Sequence, residues 1–154
     1  MAPVLAVTAV SGITASLVHP FGEVKPRANA PAPLLSGSGA GPSVVATLER
    51  TCQNCHSNRT EWPWYSYVPP VSWMIEKDVA AARRQMNLSE WQAYSIDDKV
   101  EKLAAMDALV RNHVMPPPTY LFLHPEARLD PAAIDRISRW THQERGKLNT
   151  AASE

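Results

Sequence analysis

The stretch TCQNCHSN, residues 51–58, contains both cysteines of the chain, with a histidine directly after the second. Two thiols and an imidazole therefore fall within five residues, from Cys52 to His56. Several kinds of site use some of these groups, so the surrounding sequence has to discriminate among them.

Composition sets the first limits. At 154 residues the chain has the length of one domain, and a hydrophobic content of 45% is enough for a packed core. Fifteen basic and fifteen acidic side chains cancel, so the sequence does not favour nucleic-acid binding through a basic face. Two cysteines form at most one disulfide, which excludes a scaffold built from disulfides.

The N-terminal third divides into two segments. Residues 1–18 are apolar and uncharged, which predicts an export signal or a membrane anchor that tethers the protein on the periplasmic side. No Lys or Arg precedes this run, so a buried leader of an intracellular domain is the alternative. Residues 19–42 are rich in Pro, Gly, Ala and Ser and predict a linker or surface arm.

Helical periodicity governs the remainder, and the predicted fold is all-α. We expect a folded domain over residues 43–146, with four to five helices and long proline-rich loops, followed by a tail at 147–154. Predicted helix starts are Ser43, Ser72, the capping-box pattern at residues 89–92, and Asp130 followed by Pro131. A further helix is predicted over 96–112, and Gly146 is the predicted end of the last one.

The C-x-x-C-H spacing is that of covalent haem attachment, with one haem c held by thioethers to Cys52 and Cys55 and His56 as proximal iron ligand. A redox dithiol needs only the two thiols and usually belongs to a strand-rich βαβ fold. A zinc site would need two further ligands, and a disulfide beside an unrelated histidine is a third alternative. The histidines left over for zinc are His19, His113, His124 and His142.

Residues 61–73, EWPWYSYVPPVSW, form an aromatic, proline-rich segment after the motif. We expect Trp64, Tyr65 and Trp73 to line the haem, because a mostly buried porphyrin needs apolar surroundings. The alternative is that these side chains are ordinary core residues of a small helical protein.

Met115 is the predicted distal iron ligand. It follows a helix and precedes three consecutive prolines, so a stiff loop would present its thioether. Met86 and Met106 lie on apolar helix stripes, where methionine usually fills space. Met74 and His113 stay open as rivals.

Three blocks occur in the order found in the bacterial haem-binding domain family, which is similar to small c-type cytochromes. They are CQNCHSNRTEWPWYSYVPPVSW (52–73), DVAAARRQMNLSEW (78–91) and MPPPTYLFLHPEARL (115–129). The resemblance spans about residues 44–142. It implies haem on Cys52 and Cys55, His56 and Met115 as axial ligands, and export or tethering. Ala82 stands where the family pattern has glycine, and the basic residues of a signal are missing.

These features predict a monohaem c-type cytochrome with His/Met ligation, which transfers single electrons to a redox partner protein outside the cytoplasmic membrane. We expect an electron carrier and no catalytic residues. The alternative is a haem-based sensor in which CO or NO displaces the distal methionine. A peroxidase is a third hypothesis, for which the sequence offers no distal His–Arg pair.

Overall fold

The structure, a computed structural model, describes residues 33–153. This part of the chain is all-α, as predicted, and contains no strand. Its helices are α1 (Pro42–Thr51), α2 (Gln53–His56), α3 (Val71–Gln85), α4 (Ile96–Arg111), α5 (Pro118–Leu123) and α6 (Pro131–Ala151). Shorter 3₁₀ turns occur at Trp64–Tyr67, Leu88–Ala93 and Pro125–Ala127. The predicted count of four to five helices was too low because α2 and α5 are too short to show a period.

The predicted apolar leader at 1–18 and most of the predicted linker lie outside the described residues. Within residues 33–153, no helix is both long enough and apolar enough to span a bilayer.

The last helix begins as predicted but ends later. The Asp130 side chain accepts a hydrogen bond of 2.7 Å from the backbone N–H of Ala133, and Pro131 occupies the first turn. The predicted stop at Gly146 was wrong, since α6 continues to Ala151 and takes in most of the predicted tail. Glycine inside a helix costs only about 1 kcal/mol relative to alanine, which the helix tolerates here.

Three predicted helix starts differ from the structure. Helix α1 begins at Pro42 rather than after Ser43, because proline is favourable in the first turn, where its missing N–H costs no hydrogen bond. Helix α3 begins at Val71, with Ser72 inside it and buried. The capping box expected at residues 89–92 is instead a 3₁₀ turn capped by the side chain of Asn87.

Helices α4 and α6 pack against each other and form the centre of the domain. Four aliphatic side chains are completely buried there, and they come from four separate segments: Leu48, Leu88, Leu103 and Ile137. Because each contributes roughly 1.5–3 kcal/mol when buried, this cluster joins α1, the 3₁₀ turn at Leu88–Ala93, α4 and α6 into one core.

A polar contact also links α4 to α6. Nε2 of His142 lies 3.0 Å from the Asp107 carboxylate. Burial raises the pKa of Asp107, but hydrogen bonds from Ser138 and His142 outweigh it and hold the pKa of this carboxyl below its usual range. Asp107 is therefore ionised at neutral pH.

Residues 33–41, here called the N-terminal segment, belong to the folded domain, although the sequence predicted linker. Leu34 and Leu35 are buried in the core, and the backbone N–H of Leu35 donates to the carbonyl of Leu88 at 2.9 Å. The Gly39 N–H donates to the Glu144 carboxylate at 2.9 Å, and a Cβ at Gly39 would collide with that carboxylate. The domain therefore begins before Ser43.

Candidate functional site

The two cysteines and the histidine lie on one helical turn. Cys52 is both the residue that caps the end of α1 and the residue that caps the start of α2. Its carbonyl accepts hydrogen bonds from the N–H groups of Cys55, at 3.3 Å, and His56, at 2.9 Å. Residues three apart on a helical turn share one face, so the backbone presents both thiols on the same side.

Both thiols are free and partly exposed. Burial raises the pKa of Cys52, with the Thr51 hydroxyl opposing that effect. Burial, followed by the charges of Asp78 and Cys52, raises the pKa of Cys55 to about 11. Redox-active dithiols have pKa values lowered to roughly 3.5–7.5, so both thiols here differ from a dithiol switch.

The His56 ring is oriented by the backbone. Its Nδ1 lies 3.1 Å from the carbonyl oxygen of Met86, which can only accept a hydrogen bond. Nδ1 therefore carries the hydrogen, and Nε2 has the lone pair available for a metal. Burial lowers the pKa of His56, opposed by the carbonyls of Met86 and Ala82, which favours the neutral ring that ligates metals.

Asn54, between the cysteines, ties the motif to its surroundings. Its Nδ2 donates to the Tyr120 hydroxyl at 3.0 Å, and its Oδ1 accepts from the Glu61 N–H at 3.1 Å. Its carbonyl accepts from the Thr60 hydroxyl at 2.6 Å. The motif is thus fixed both to α5 and to residues 60–61, which follow the motif in the chain. These contacts of Asn54 were not predicted from the sequence.

Arg83 of α3 fixes the chain directly after the motif. Its Nε donates to the carbonyl of Ser57 at 2.8 Å, and its Nη2 donates to the Thr60 hydroxyl at 2.9 Å. This role was not predicted from the sequence. Arg83 shares its helix face with the buried Ser72, Glu76 and Val79, so it does not stand out as a single polar residue on an apolar stripe.

Asn87 supports the same region from the other side. Its Nδ2 donates to Oδ1 of Asn58 at 2.9 Å, while its Oδ1 accepts from the Ser89 N–H at 3.1 Å. Asn87 directly follows Met86, whose carbonyl orients His56. The short 3₁₀ turn after α3 therefore helps to position the His56 ring.

The three predicted aromatic residues have different surroundings. Trp64 is 79% exposed, whereas Tyr65 and Trp73 are half-buried. Trp64 packs edge-on against Tyr65 at a ring-centroid distance of 5.8 Å. Tyr65 also hydrogen-bonds to His124, at 2.6 Å. The alternative that all three are ordinary core residues does not hold for Trp64. That the three side chains line a haem stays a prediction.

The structure separates the methionine candidates. Met106 is buried in the core, and Met86 packs against that core. Met74 is 62% exposed and Met115 is half-buried, so these two sulfurs stay accessible to a ligand site. Met115 lies on the loop that leads into α5, five residues before the Tyr120 that contacts the motif. No hydrogen bond joins Met115 itself to the described motif residues.

Two of the remaining histidines already have partners. Both ring nitrogens of His124 are engaged, by Tyr65 and by Glu126, and His142 pairs with Asp107. His19 lies outside the described residues. No group of three or more His, Cys, Asp or Glu side chains arranged for a metal ion occurs within residues 33–153.

Comparison with known families identifies the chain at this point. Residues 10–143 match the family model described as the haem-binding domain. The chain belongs to the haem-binding domain family. This match covers all of the described helices except the end of α6.

A curated relative of this haem-binding domain is the cytochrome c peroxidase Ccp of Escherichia coli (strain K12). The two are 24% identical over 102 residues, which is 64% of this chain and 22% of that protein. The chain thus spans about a fifth of the length of the relative it matches. No solved structure matches the haem-binding domain.

The chemistry of the donor set fits a haem. Cys52 and Cys55 provide two free thiols on one turn, and His56 provides an imidazole whose Nδ1 is taken by a backbone carbonyl. A carbonyl partner on the second ring nitrogen is the arrangement that orients metal-bound histidines. The family membership and the arrangement of these groups therefore agree that this is a haem-binding domain.

Proposed function

We propose that the protein is a monohaem c-type cytochrome that transfers single electrons. Cys52 and Cys55 would attach the haem covalently, His56 would ligate the iron as the proximal residue, and Met115 would be the distal ligand. The observation that carries the proposal is the single turn on which both free thiols and the carbonyl-oriented His56 ring lie together.

Each residue of the site has a distinct task in this proposal. His56 presents Nε2 to the iron because its Nδ1 is held at the Met86 carbonyl. The partly buried Tyr65 and Trp73 exclude water from the site. The bound haem supplies reversible one-electron chemistry, and a His/Met ligand pair favours the reduced form by raising the potential.

Fixed positions of the ligands also matter for electron transfer. Hydrogen bonds from three different segments hold the motif and the two residues directly after it: Tyr120 accepts from Asn54, Arg83 donates to Ser57, and Asn87 donates to Asn58. A motif restrained in this way changes little between oxidation states, so little reorganisation accompanies each electron. The exposed side chains of Trp64 and Met74 offer apolar surface to a redox partner protein.

We propose that the protein lies in the periplasm, or is tethered by residues 1–18 with the domain facing the periplasm. Fractionation of cells that express the full chain tests this location. Periplasmic or membrane-bound haem protein is the expected result, and haem protein in the cytoplasmic fraction contradicts it.

The identity of the distal ligand can be tested by spectroscopy on two matched variants, Met115→Ala and Met74→Ala. We expect the wild-type protein and Met74→Ala to be low-spin, with a methionine-to-ferric charge-transfer band and no binding of CO. We expect Met115→Ala to become high-spin and to bind CO. If Met74→Ala alone shows these changes, the ligand is Met74. Binding of CO by the wild-type protein would favour a sensor with a displaceable methionine.

The similarity to a cytochrome c peroxidase favours a second candidate function, hydrogen peroxide reduction. Steady-state turnover of hydrogen peroxide with a reduced cytochrome as electron donor distinguishes the two functions. A six-coordinate His/Met site has no open position for peroxide, so the electron carrier should show no turnover. Saturable turnover by the wild-type protein that is abolished in His56→Ala would establish the peroxidase instead.

A further inference from the structure

Three side chains beside the site form a hydrogen-bonded series. Nε2 of His124 lies 2.6 Å from the Tyr65 hydroxyl, and its Nδ1 lies 3.0 Å from Oε1 of Glu126. An ionised carboxylate only accepts hydrogen bonds, so Nδ1 carries the hydrogen of the neutral ring. Nε2 then accepts from the Tyr65 hydroxyl, and it is the atom at which a further proton would enter.

This series is close to the haem-attachment motif. The Tyr120 ring stacks on the His124 ring at a centroid distance of 4.4 Å and an interplanar angle of 19°. The Tyr120 hydroxyl in turn accepts a hydrogen bond from Asn54, which lies between the two cysteines. Two contacts therefore connect the imidazole of His124 to the turn that would hold the haem.

His124 is also in a fixed position with access to solvent. Its backbone N–H donates to the carbonyl of Tyr120 at 2.9 Å, and its own carbonyl accepts from Ala127 at 3.0 Å. The His124 side chain is 23% exposed and the Glu126 side chain is 63% exposed, so protons from water can reach the pair.

The groups that face His124 come from three segments. Tyr65 lies on the 3₁₀ turn after the motif, Tyr120 on α5, and Glu126 on the 3₁₀ turn after α5. Beyond them, the charge of Cys55 acts on Tyr120, and the charges of Asp78 and Arg83 act on Cys55. Burial raises the pKa values of Tyr65 and Tyr120, and the Glu126 charge adds to both effects. The two phenols therefore stay protonated at neutral pH.

We propose that His124 is a proton-binding site coupled to the electron that the domain carries. When one electron arrives from a donor protein, one proton from water binds Nε2 of His124, and the ring becomes an imidazolium between Tyr65 and Glu126. The Tyr65 hydroxyl then changes from donor to acceptor toward Nε2. The added negative charge favours the imidazolium, and Glu126 stabilises it. The inference rests on the proposed electron-transfer function.

Thermodynamic linkage fixes the sign of the change of the reduction potential with pH. If the electron favours proton binding at His124, the proton favours the electron equally. The reduction potential must then fall as the pH rises. The limiting slope is a tenfold change in the equilibrium constant for each pH unit, or about 59 mV for a one-electron couple.

The test measures the reduction potential of the haem-loaded protein between pH 5 and 9. The variants are His124→Gln, Glu126→Gln and the control His142→Gln, which alters an exposed histidine paired with Asp107. We expect the wild-type potential to fall with pH, His142→Gln to behave like the wild type, and His124→Gln to lose most of the slope. Glu126→Gln should move the sloping region to lower pH because the imidazolium loses its carboxylate.

Proton NMR of the wild-type protein gives a second readout that needs no variant. We expect the His124 ring to titrate at higher pH in the ferrous protein than in the ferric protein. Identical titrations in the two states, or an unchanged slope in His124→Gln, would overturn the inference. A covalently attached, low-spin haem with a pH-independent potential would overturn this inference alone, whereas a protein without haem would overturn the proposed function as well.

Discussion

Replacing Asn87 by alanine tests how the proximal side of the site is supported. Asn87 is only 4% exposed, and its side chain makes two hydrogen bonds. Its Oδ1 caps the 3₁₀ turn by accepting from Ser89, and its Nδ2 donates to Asn58 across 29 residues of chain. Alanine removes both bonds and leaves the side-chain Oδ1 of Asn58 without this donor.

The expected cost follows from these two losses. A lost cap costs about 1 kcal/mol. A lost buried hydrogen bond that leaves its partner unsatisfied costs about 1–3 kcal/mol. We therefore expect Asn87→Ala to lower the free energy of unfolding by about 3 kcal/mol, to be measured by urea unfolding followed by far-ultraviolet circular dichroism.

Asn112 provides a matched control. It is exposed at the end of α4, and its Nδ2 donates only to the carbonyl of Ala108 in the same helix. Asn112→Ala should change the free energy of unfolding by less than about 0.5 kcal/mol. Equal losses in Asn87→Ala and Asn112→Ala would refute the reasoning, because the bonds across the 3₁₀ turn would then carry no stability.

Three further predictions concern the rest of the domain. Leu34→Ala should lower the free energy of unfolding by about 3 kcal/mol because it opens a cavity in the core, whereas Phe122→Ala, which alters an 85% exposed side chain, should hardly change it. Equal effects of the two substitutions would show that the N-terminal segment is a linker. Arg83→Ala should lower the free energy of unfolding by roughly 1.5–3 kcal/mol and reduce the yield of covalent haem. The control is Arg84→Ala, at the exposed neighbouring residue, which should match the wild type in both measurements. Because the pKa of Asp107 is lower in the folded protein, its ionised carboxylate stabilises the fold at neutral pH. This contribution begins to disappear when the pH falls below about 4, the pKa of an unfolded aspartate, and is lost once the pH passes below the lowered pKa of the folded protein. Asp107→Asn should accordingly lose about 0.5 kcal/mol at pH 7, and an equal difference from the wild type at pH 7 and pH 2 would contradict this origin.

Local sequence signals predicted the helical elements well. Apolar periodicity identified the long helices α3 and α4, and Asp130 with Pro131 identified the start of α6. Gly146 misled because glycine ends a helix only where the backbone turns into the left-handed region, which it does not do here.

The N-terminal segment could not be recognised from its own sequence. Leu34 and Leu35 stand next to each other in a run of Pro, Gly and Ser, without helical or alternating period. Their burial depends on Leu88, more than fifty residues away in the chain. Pairing between residues that distant is set by the fold and not by local propensity.

In the site too, the local features could be predicted from the sequence and the contacts between distant residues could not. The spacing of Cys52, Cys55 and His56 predicted their chemistry because all three lie on one turn. The contact between Asn54 and Tyr120 joins residues 66 apart, and that between Tyr65 and His124 joins residues 59 apart. Neither had a local signal, so the surroundings of the motif emerge only from the three-dimensional structure.

Covalent attachment of haem through the two cysteines is the central claim. Its most direct test is the intact mass, under denaturing conditions, of protein produced with a cytochrome c maturation system, beside the double variant Cys52→Ser/Cys55→Ser. We expect the wild-type protein to have the mass of the polypeptide plus one haem, and the double variant to have the mass of the polypeptide alone. A wild-type protein that has the bare polypeptide mass, or a double variant that retains the haem after denaturation, would contradict it.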